Sequence, residues 1–131
     1  MSNYRQVFGK WGEEFAAQYL ISRGYKILAK NVRTPYGEID LVAMQQTAVD
    51  GINTAPVIVF VEVKTRSSTA FGFPEASINA KKQEHILAAA QYYLVKNPNL
   101  DGDWRVDVIA IQRHSRSEPP SVEHFENVFT A

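Results

Sequence analysis

The chain has 131 residues and no cysteine. That absence excludes disulfides, thiolate-bound zinc, iron–sulfur clusters and thiol nucleophiles, and it fits a reducing, cytoplasmic setting. Net charge is absent too: 14 Lys/Arg balance 14 Asp/Glu, whereas phosphate binding normally draws on a basic surface. No apolar run is long enough to span a bilayer, and the N-terminal MSNYRQVFGKWGEEF lacks the uninterrupted apolar core of a secretory signal. A soluble, unprocessed protein without a membrane partner is therefore expected. With 45% hydrophobic residues the chain can bury one sizeable core, so residues 1–131 are expected to form one domain.

The distribution of charge says more than its total. Residues 1–96 carry 11 Lys/Arg against 8 Asp/Glu, and residues 97–131 carry 3 against 6. Four of the N-terminal acids, Glu13, Glu38, Asp40 and Glu62, fall in segments singled out below. This pattern allows a modest basic rim around an acidic pocket, and it equally fits an ordinary mixed surface.

Helical periodicity runs from Tyr4 to Ser22, with Phe8, Trp11, Phe15 and Tyr19 at gaps of three and four and Gly24 as the stop. Tyr25–Val32 reads as a strand and Thr34–Gly37 as a turn. Ile39–Met44 and Val57–Val63 read as two more strands, joined by a polar loop with Asp50-Gly51 at its tip. A hairpin centred on Gly51 makes these strands antiparallel and sets Asp40 opposite Glu62; a slip of one residue would separate the two carboxylates. Ser67–Pro74 reads as a loop, and Asn79 caps a helix reaching Lys96. Trp104–Ile111 is a strand, Arg113–Pro120 a polar linker, and Val122–Phe129 a final element of unassigned type. The order α-β-β-β-α-β describes an α/β fold, a central mixed β-sheet flanked by helices.

Within FVEVKTR, residues 60–66, a carboxylate and an amine lie two residues apart in an apolar, β-branched run. Alternation along a strand puts Glu62 and Lys64 on one face. Gly37-Glu38-Ile39-Asp40-Leu41-Val42 delivers a second acid from a similar run. Hard cations such as Mg2+ or Mn2+ take oxygen ligands and retain waters, so Asp40, Glu62 and the Val63 carbonyl would suffice to hold one. Lys64 would then hold the attacking water, assist its deprotonation, or face the charge that builds on a phosphate. An isolated Glu-x-Lys in a strand is ordinarily a solvated ion pair worth roughly 0 to 1 kcal/mol. Here the apolar flanks imply partial cover, where an unpaired charge is costly. Glu38 is read as a turn or rim residue outside the ligand set. His85, His114 and His124 form no ligand spacing and are read as structural or surface groups.

Gly12-Glu13, Ala16-Ala17, Tyr19-Leu20, Gly24-Tyr25, Asn31, Gly37–Leu41, Phe60–Arg66, Lys82-Gln83 and Arg105–Val108 together resemble the YraN family. The likeness covers residues 8–129. That family resembles the PD-(D/E)XK nuclease superfamily, with archaeal Holliday-junction resolvases as relatives. The resemblance implies a restriction-endonuclease-like core and metal-dependent hydrolysis of phosphodiester bonds in DNA, with branched or structured DNA as substrate. It makes Asp40 the metal-binding aspartate, Glu62 and Lys64 the acid and lysine of the Glu-x-Lys half, and Glu13 an additional metal-site group. Ile39 stands where the superfamily name has proline. The resemblance further implies that Gln83 points toward the site, that Lys82 and Arg66 contact phosphate, and that the protein works as a homodimer. By periodicity Glu13 lies opposite the aromatic stripe, on the side that also carries Ala16, Ala17 and Leu20. Two other functions fit the same residues: a non-catalytic nucleic-acid-binding module on a nuclease fold, and a protein-interaction adaptor.

Overall fold

A computed structural model describes residues 3–46, 48–67, 79–115 and 117–129. Its elements are α1 (Tyr4–Ser22), β1 (Lys26–Thr34), β2 (Gly37–Gln45), β3 (Ala48–Val49), β4 (Ile52–Asn53), β5 (Val57–Arg66), α2 (Ala80–Lys96), β6 (Trp104–Gln112) and β7 (Ser121–Phe125). Five strands form one sheet in the order β1-β2-β5-β6-β7, while β3 and β4 make a separate small ribbon. β5 and β6 are parallel and joined through α2; the other pairs are antiparallel, so the sheet is mixed. The helix and strand segments read from the sequence are all present. The unassigned tail supplies β7 at the sheet edge, and most of the loop expected at Ser67–Pro74 lies outside the described residues.

Each helix starts where a side chain replaces missing backbone partners. The Asn3 side chain accepts from the Gln6 N–H at 2.8 Å, and that of Asn79 accepts from the Lys82 N–H at 2.9 Å. α1 ends at Gly24, whose φ of +89° suits glycine, and the Tyr25 N–H returns to the Leu20 carbonyl. The fully buried face of α1 is its small-residue side, Gly12, Ala16, Ala17 and Leu20, whereas Phe8, Trp11, Phe15 and Tyr19 are only half-buried. Small side chains let the helix lie close to the sheet: a Cβ at Gly12 would overlap the Thr65 side chain on β5.

The sheet separates two cores. Ala16, Ala17 and Leu20 of α1 pack on Leu41, Ala43, Val59, Val61, Ile109 and Ile111. Ala89 and Ala90 of α2 pack on Val42, Ile58, Phe60, Val106 and Val108 from the other face. Odd and even positions of β5 and β6 thus serve opposite helices, and both strands are almost wholly apolar for that reason. Asp50 and Gly51, with φ of +52° and +77°, form the tip between β3 and β4. Leu41–Gln45 face Val61–Val57 one for one, which is the register expected for a hairpin about Gly51.

Candidate metal and phosphate site

The β2–β5 ladder stops at Leu41 and Val61. Beyond that point β2 is bonded to β1, through Ile39, Glu38 and Gly37, and β5 to β6, through Glu62 to Arg66. Ile39 and Val42 pack in the same α2-side core, so strict alternation is broken at Asp40. Asp40 and Glu62 are therefore neighbours at the point where two strands part, not the next regular pair of the ladder. The Val63 N–H donates to Asp40 Oδ2 at 2.8 Å, and the side chain so takes the place of a backbone acceptor. Val63, whose N–H makes this bond, also lines a cleft there.

Glu13 reaches the same place from α1. Its carboxylate and those of Asp40 and Glu38 have oxygens within 4.8 Å of one another. Glu38, read from sequence as a rim residue, thus belongs to the acidic cluster. Alternation puts Glu38 and Asp40, two residues apart, on one face, so this pairing is available from the spacing alone. Asn31, opposite Asp40 on β1 and with a φ of +51°, turns its side chain to the cluster. In the amide orientation that satisfies its neighbours it donates to Glu13 Oε2 and Glu38 Oε1, both at 3.0 Å.

Burial pushes the Asp40 carboxyl up to about 7, and the charges of Glu62, Glu13 and Glu38 push the same way against the Val63 N–H. Burial and Glu38 also raise Glu13, with Lys10 opposing. The cluster thus retains a proton close to neutrality, a state that a cation would relieve by supplying the missing positive charge.

Glu62, with a side chain 12% exposed, is held differently. Lys64 Nζ lies 3.5 Å and Lys82 Nζ 3.3 Å from Glu62 Oε1, the first on the same strand and the second from the start of α2. Burial lowers the Lys64 pKa despite Glu62. For Lys82 burial acts downward as well, but Glu62 and Lys64 raise it overall. The sequence-predicted residues Glu13, Asp40, Glu62, Lys64 and Lys82 are thus brought together.

Two open clefts meet at Asp40 and Glu62. One, about 460 Å³, runs toward α2 past Glu38, Lys81, Lys82 and His85. The other, about 690 Å³, runs along the start of α1 past Glu13, Val63, Arg66 and Arg5. Gln83 is half-buried and contributes to the wall of neither cleft. The donor set is all oxygen, clustered and short of positive charge, and it fits a hard divalent cation.

A second polar cluster was not anticipated. Asp107, 0% exposed, accepts from Arg105 Nε at 3.0 Å and the Asn127 N–H at 2.9 Å, and pairs with His124 Nε2 at 2.7 Å. Arg105 goes on to Tyr25 and Gln45, each at 2.9 Å. The spacing of Arg105 and Asp107 within WRVDVIAI was the available signal. The expectation that His124 is structural fits this setting, and His114 pairs with Ser121.

The family model described as "Uncharacterised protein family UPF0102" matches residues 12–111. The chain is 42% identical over 129 residues to a UPF0102 protein of Syntrophotalea carbinolica, covering 98% of this chain and 96% of that protein. It is 44% identical over 125 residues to one of Thermodesulfovibrio yellowstonii, covering 95% and 97%. It is 38% identical over 121 residues to one of Clostridioides difficile, covering 92% and 95%.

Proposed function

We propose, for a chain that belongs to the uncharacterised family UPF0102, metal-dependent endonucleolytic hydrolysis of DNA on a restriction-endonuclease-like core. The observation that carries this reading is the convergence of Asp40, Glu13 and Glu38 beside the Glu62–Lys64 pair where β2 and β5 part. Support for the core type comes from the arrangement of α1, the β2–β5 pair and the parallel β5–α2–β6 unit around that point. The names of those three relatives carry no activity, so the geometry and the nuclease resemblance bear the argument.

Glu13, Asp40 and Glu38 would hold Mg2+ or Mn2+, with Glu62 and the Val63 carbonyl as the remaining oxygen donors. A bound divalent ion supplies a more acidic water and a polarised phosphoryl oxygen. Lys64, kept in place by Glu62, offers its ammonium to the negative charge that grows on the phosphate. Lys82 and Arg66, one in each cleft, are placed to hold flanking phosphates. Asp40 is oriented by the Val63 N–H, which fixes the carboxylate without help from solvent. A homodimer on branched DNA follows from the resolvase resemblance and is part of the same proposal.

The test is cleavage of fluorescent duplex, single-stranded and four-way-junction DNA by wild type and by the Asp40→Ala, Glu62→Ala double mutant, with Mg2+ and then Mn2+. Metal-dependent cutting by wild type alone supports the proposal. Binding that survives chelation with no cutting would replace it by the non-catalytic module.

A further inference from the structure

The aromatic stripe of α1 leads into the cleft that holds the carboxylates. Tyr4 and Phe8 are stacked with ring centroids 5.8 Å apart and planes 14° apart, and Phe8 and Trp11 at 5.6 Å and 6°. Behind them the Arg113 guanidinium lies 5.3 Å from the Trp11 centroid. The outer end is open: Tyr4 is 70% exposed. Tyr4, Arg5 and Phe8 line the same cleft as Asp40 and Glu62.

Trp11, Phe15 and Tyr19 pack half-buried against the α1-side core, whereas Tyr4 and Phe8 lie outside that cluster, so the stack continues past what the core accounts for. Neighbouring rings are too close to admit another ring between them, so the face left for a ligand is the outer face of Tyr4. A planar π-system laid there extends an existing stack, and a phosphate attached to it falls near Arg5 and Arg66 in the cleft wall. Aromatic face and guanidinium groups in one groove match the alternating base and phosphate of a nucleic-acid strand. Duplex DNA keeps its base faces buried in its own stack and cannot make this contact; an unpaired base can.

We infer that Tyr4, backed by Phe8 and Trp11, is a stacking platform for an unpaired base next to the scissile phosphate, so that the substrate class is DNA with a single-stranded arm. The inference rests on the nuclease reading for the position of the scissile phosphate. Tyr4 is a positioning residue: it would hold the base and touch none of the reacting atoms.

The experiment uses the full chain with Ca2+ and a duplex carrying a single-stranded arm, with 2-aminopurine as the arm base at the branch. Wild type and Tyr4→Phe are expected to quench the fluorescence on binding. Tyr4→Ala is expected to lose the quench and to bind the armed DNA about tenfold more weakly, the loss of one base stack. Its affinity for blunt duplex should be unchanged. Wild-type quench and affinity in Tyr4→Ala, or equal wild-type affinity for armed and blunt DNA, overturns the platform. So does a dimer-to-monomer change of sedimentation mass in Tyr4→Ala, which would assign the stack to a second copy of the chain. Parallel assays in Mg2+ and Mn2+ separate the two readings. Tyr4-dependent quenching without cleavage overturns the nuclease reading alone, whereas cleavage indifferent to Tyr4 overturns the platform alone. Absence of any DNA binding by wild type overturns both.

Discussion

Asp40 accepts the Val63 N–H at 2.8 Å across the gap where β2 and β5 cease to pair. An acidic side chain thereby closes a backbone vacancy and carries its charge into a half-buried cluster with Glu13 and Glu38. The same bond that orients the carboxylate tends to keep it ionised, while burial and Glu62 lift its pKa to about 7. Structure and site are in opposition at this one residue, which makes it informative.

Asp40→Asn keeps an acceptor for Val63 and removes the charge. Because the folded pKa of Asp40 lies above its ordinary 3.8, the native state binds the proton more tightly than the unfolded chain between pH 4 and 7. Wild type therefore loses stability as pH rises through that window, and the variant does not. The variant should be more stable at pH 7.5 by about 1–3 kcal/mol in the absence of metal. That advantage should vanish below pH 4. Thermal melts across pH decide it, and a variant less stable than wild type at pH 7.5 would contradict the assigned environment.

Glu38 tests which acids hold a cation. Glu38→Gln should weaken Mn2+ binding at least about tenfold, followed by calorimetry or electron paramagnetic resonance, if the group acts on the ion as a ligand or an immediate neighbour. Glu84→Gln, an exposed position on α2, serves as the control and should leave affinity unchanged. Equal affinities in the two variants would return Glu38 to the rim.

Much of this arrangement is legible in the sequence. The Asp50-Gly51 tip fixes the hairpin, and the hairpin fixes which residues of β2 and β5 meet. What periodicity cannot supply is the place where periodicity fails. Alternation already puts Glu38 and Asp40 on one face; the parting of β2 from β5, and the left-handed Asn31 whose side chain joins Glu13 to Glu38, are not written in it. Nor does spacing separate function from structure. Glu62 and Lys64 share the i, i+2 pattern of Arg105 and Asp107, both in apolar strands; Glu62 opens on both clefts while Asp107 is sealed among Arg105, His124 and the Asn127 N–H. On α1 the side with Ala16, Ala17 and Leu20 is legible as a second buried face; that it is the more deeply buried one follows from close packing against the sheet, where Gly12 leaves room for Thr65.

Gly12→Ala examines that close packing. The added methyl would overlap Thr65, on the strand that carries Glu62 and Lys64, so the helix must move outward. Overpacking of this kind costs about 1–3 kcal/mol. Glu13 moves with the helix, so divalent-metal affinity should fall together with the melting temperature. Retained stability with retained metal affinity would show that the helix–strand contact yields freely.

Asp107→Asn is the counterpart of Asp40→Asn, with the opposite sign. Burial tends to raise the Asp107 pKa, but His124, Arg105 and the Asn127 N–H outweigh it and hold the carboxylate below its ordinary 3.8. A depressed folded pKa contributes stability that is complete above the unfolded value and lost as pH falls through the folded one. Asp107 therefore stabilises the protein throughout the neutral range and begins to fail only below about pH 4. Its replacement leaves Arg105 and His124 facing an amide, and breaking a buried pair in this way costs about 3–5 kcal/mol. The variant should melt well below wild type at pH 7, with the difference narrowing in strong acid, whereas Asp40→Asn should melt above it. Mn2+ affinity measured on the folded fraction should be unchanged, because neither Arg105 nor Asp107 lines either cleft. Loss of metal affinity without loss of stability would assign Asp107 to the site instead of the scaffold.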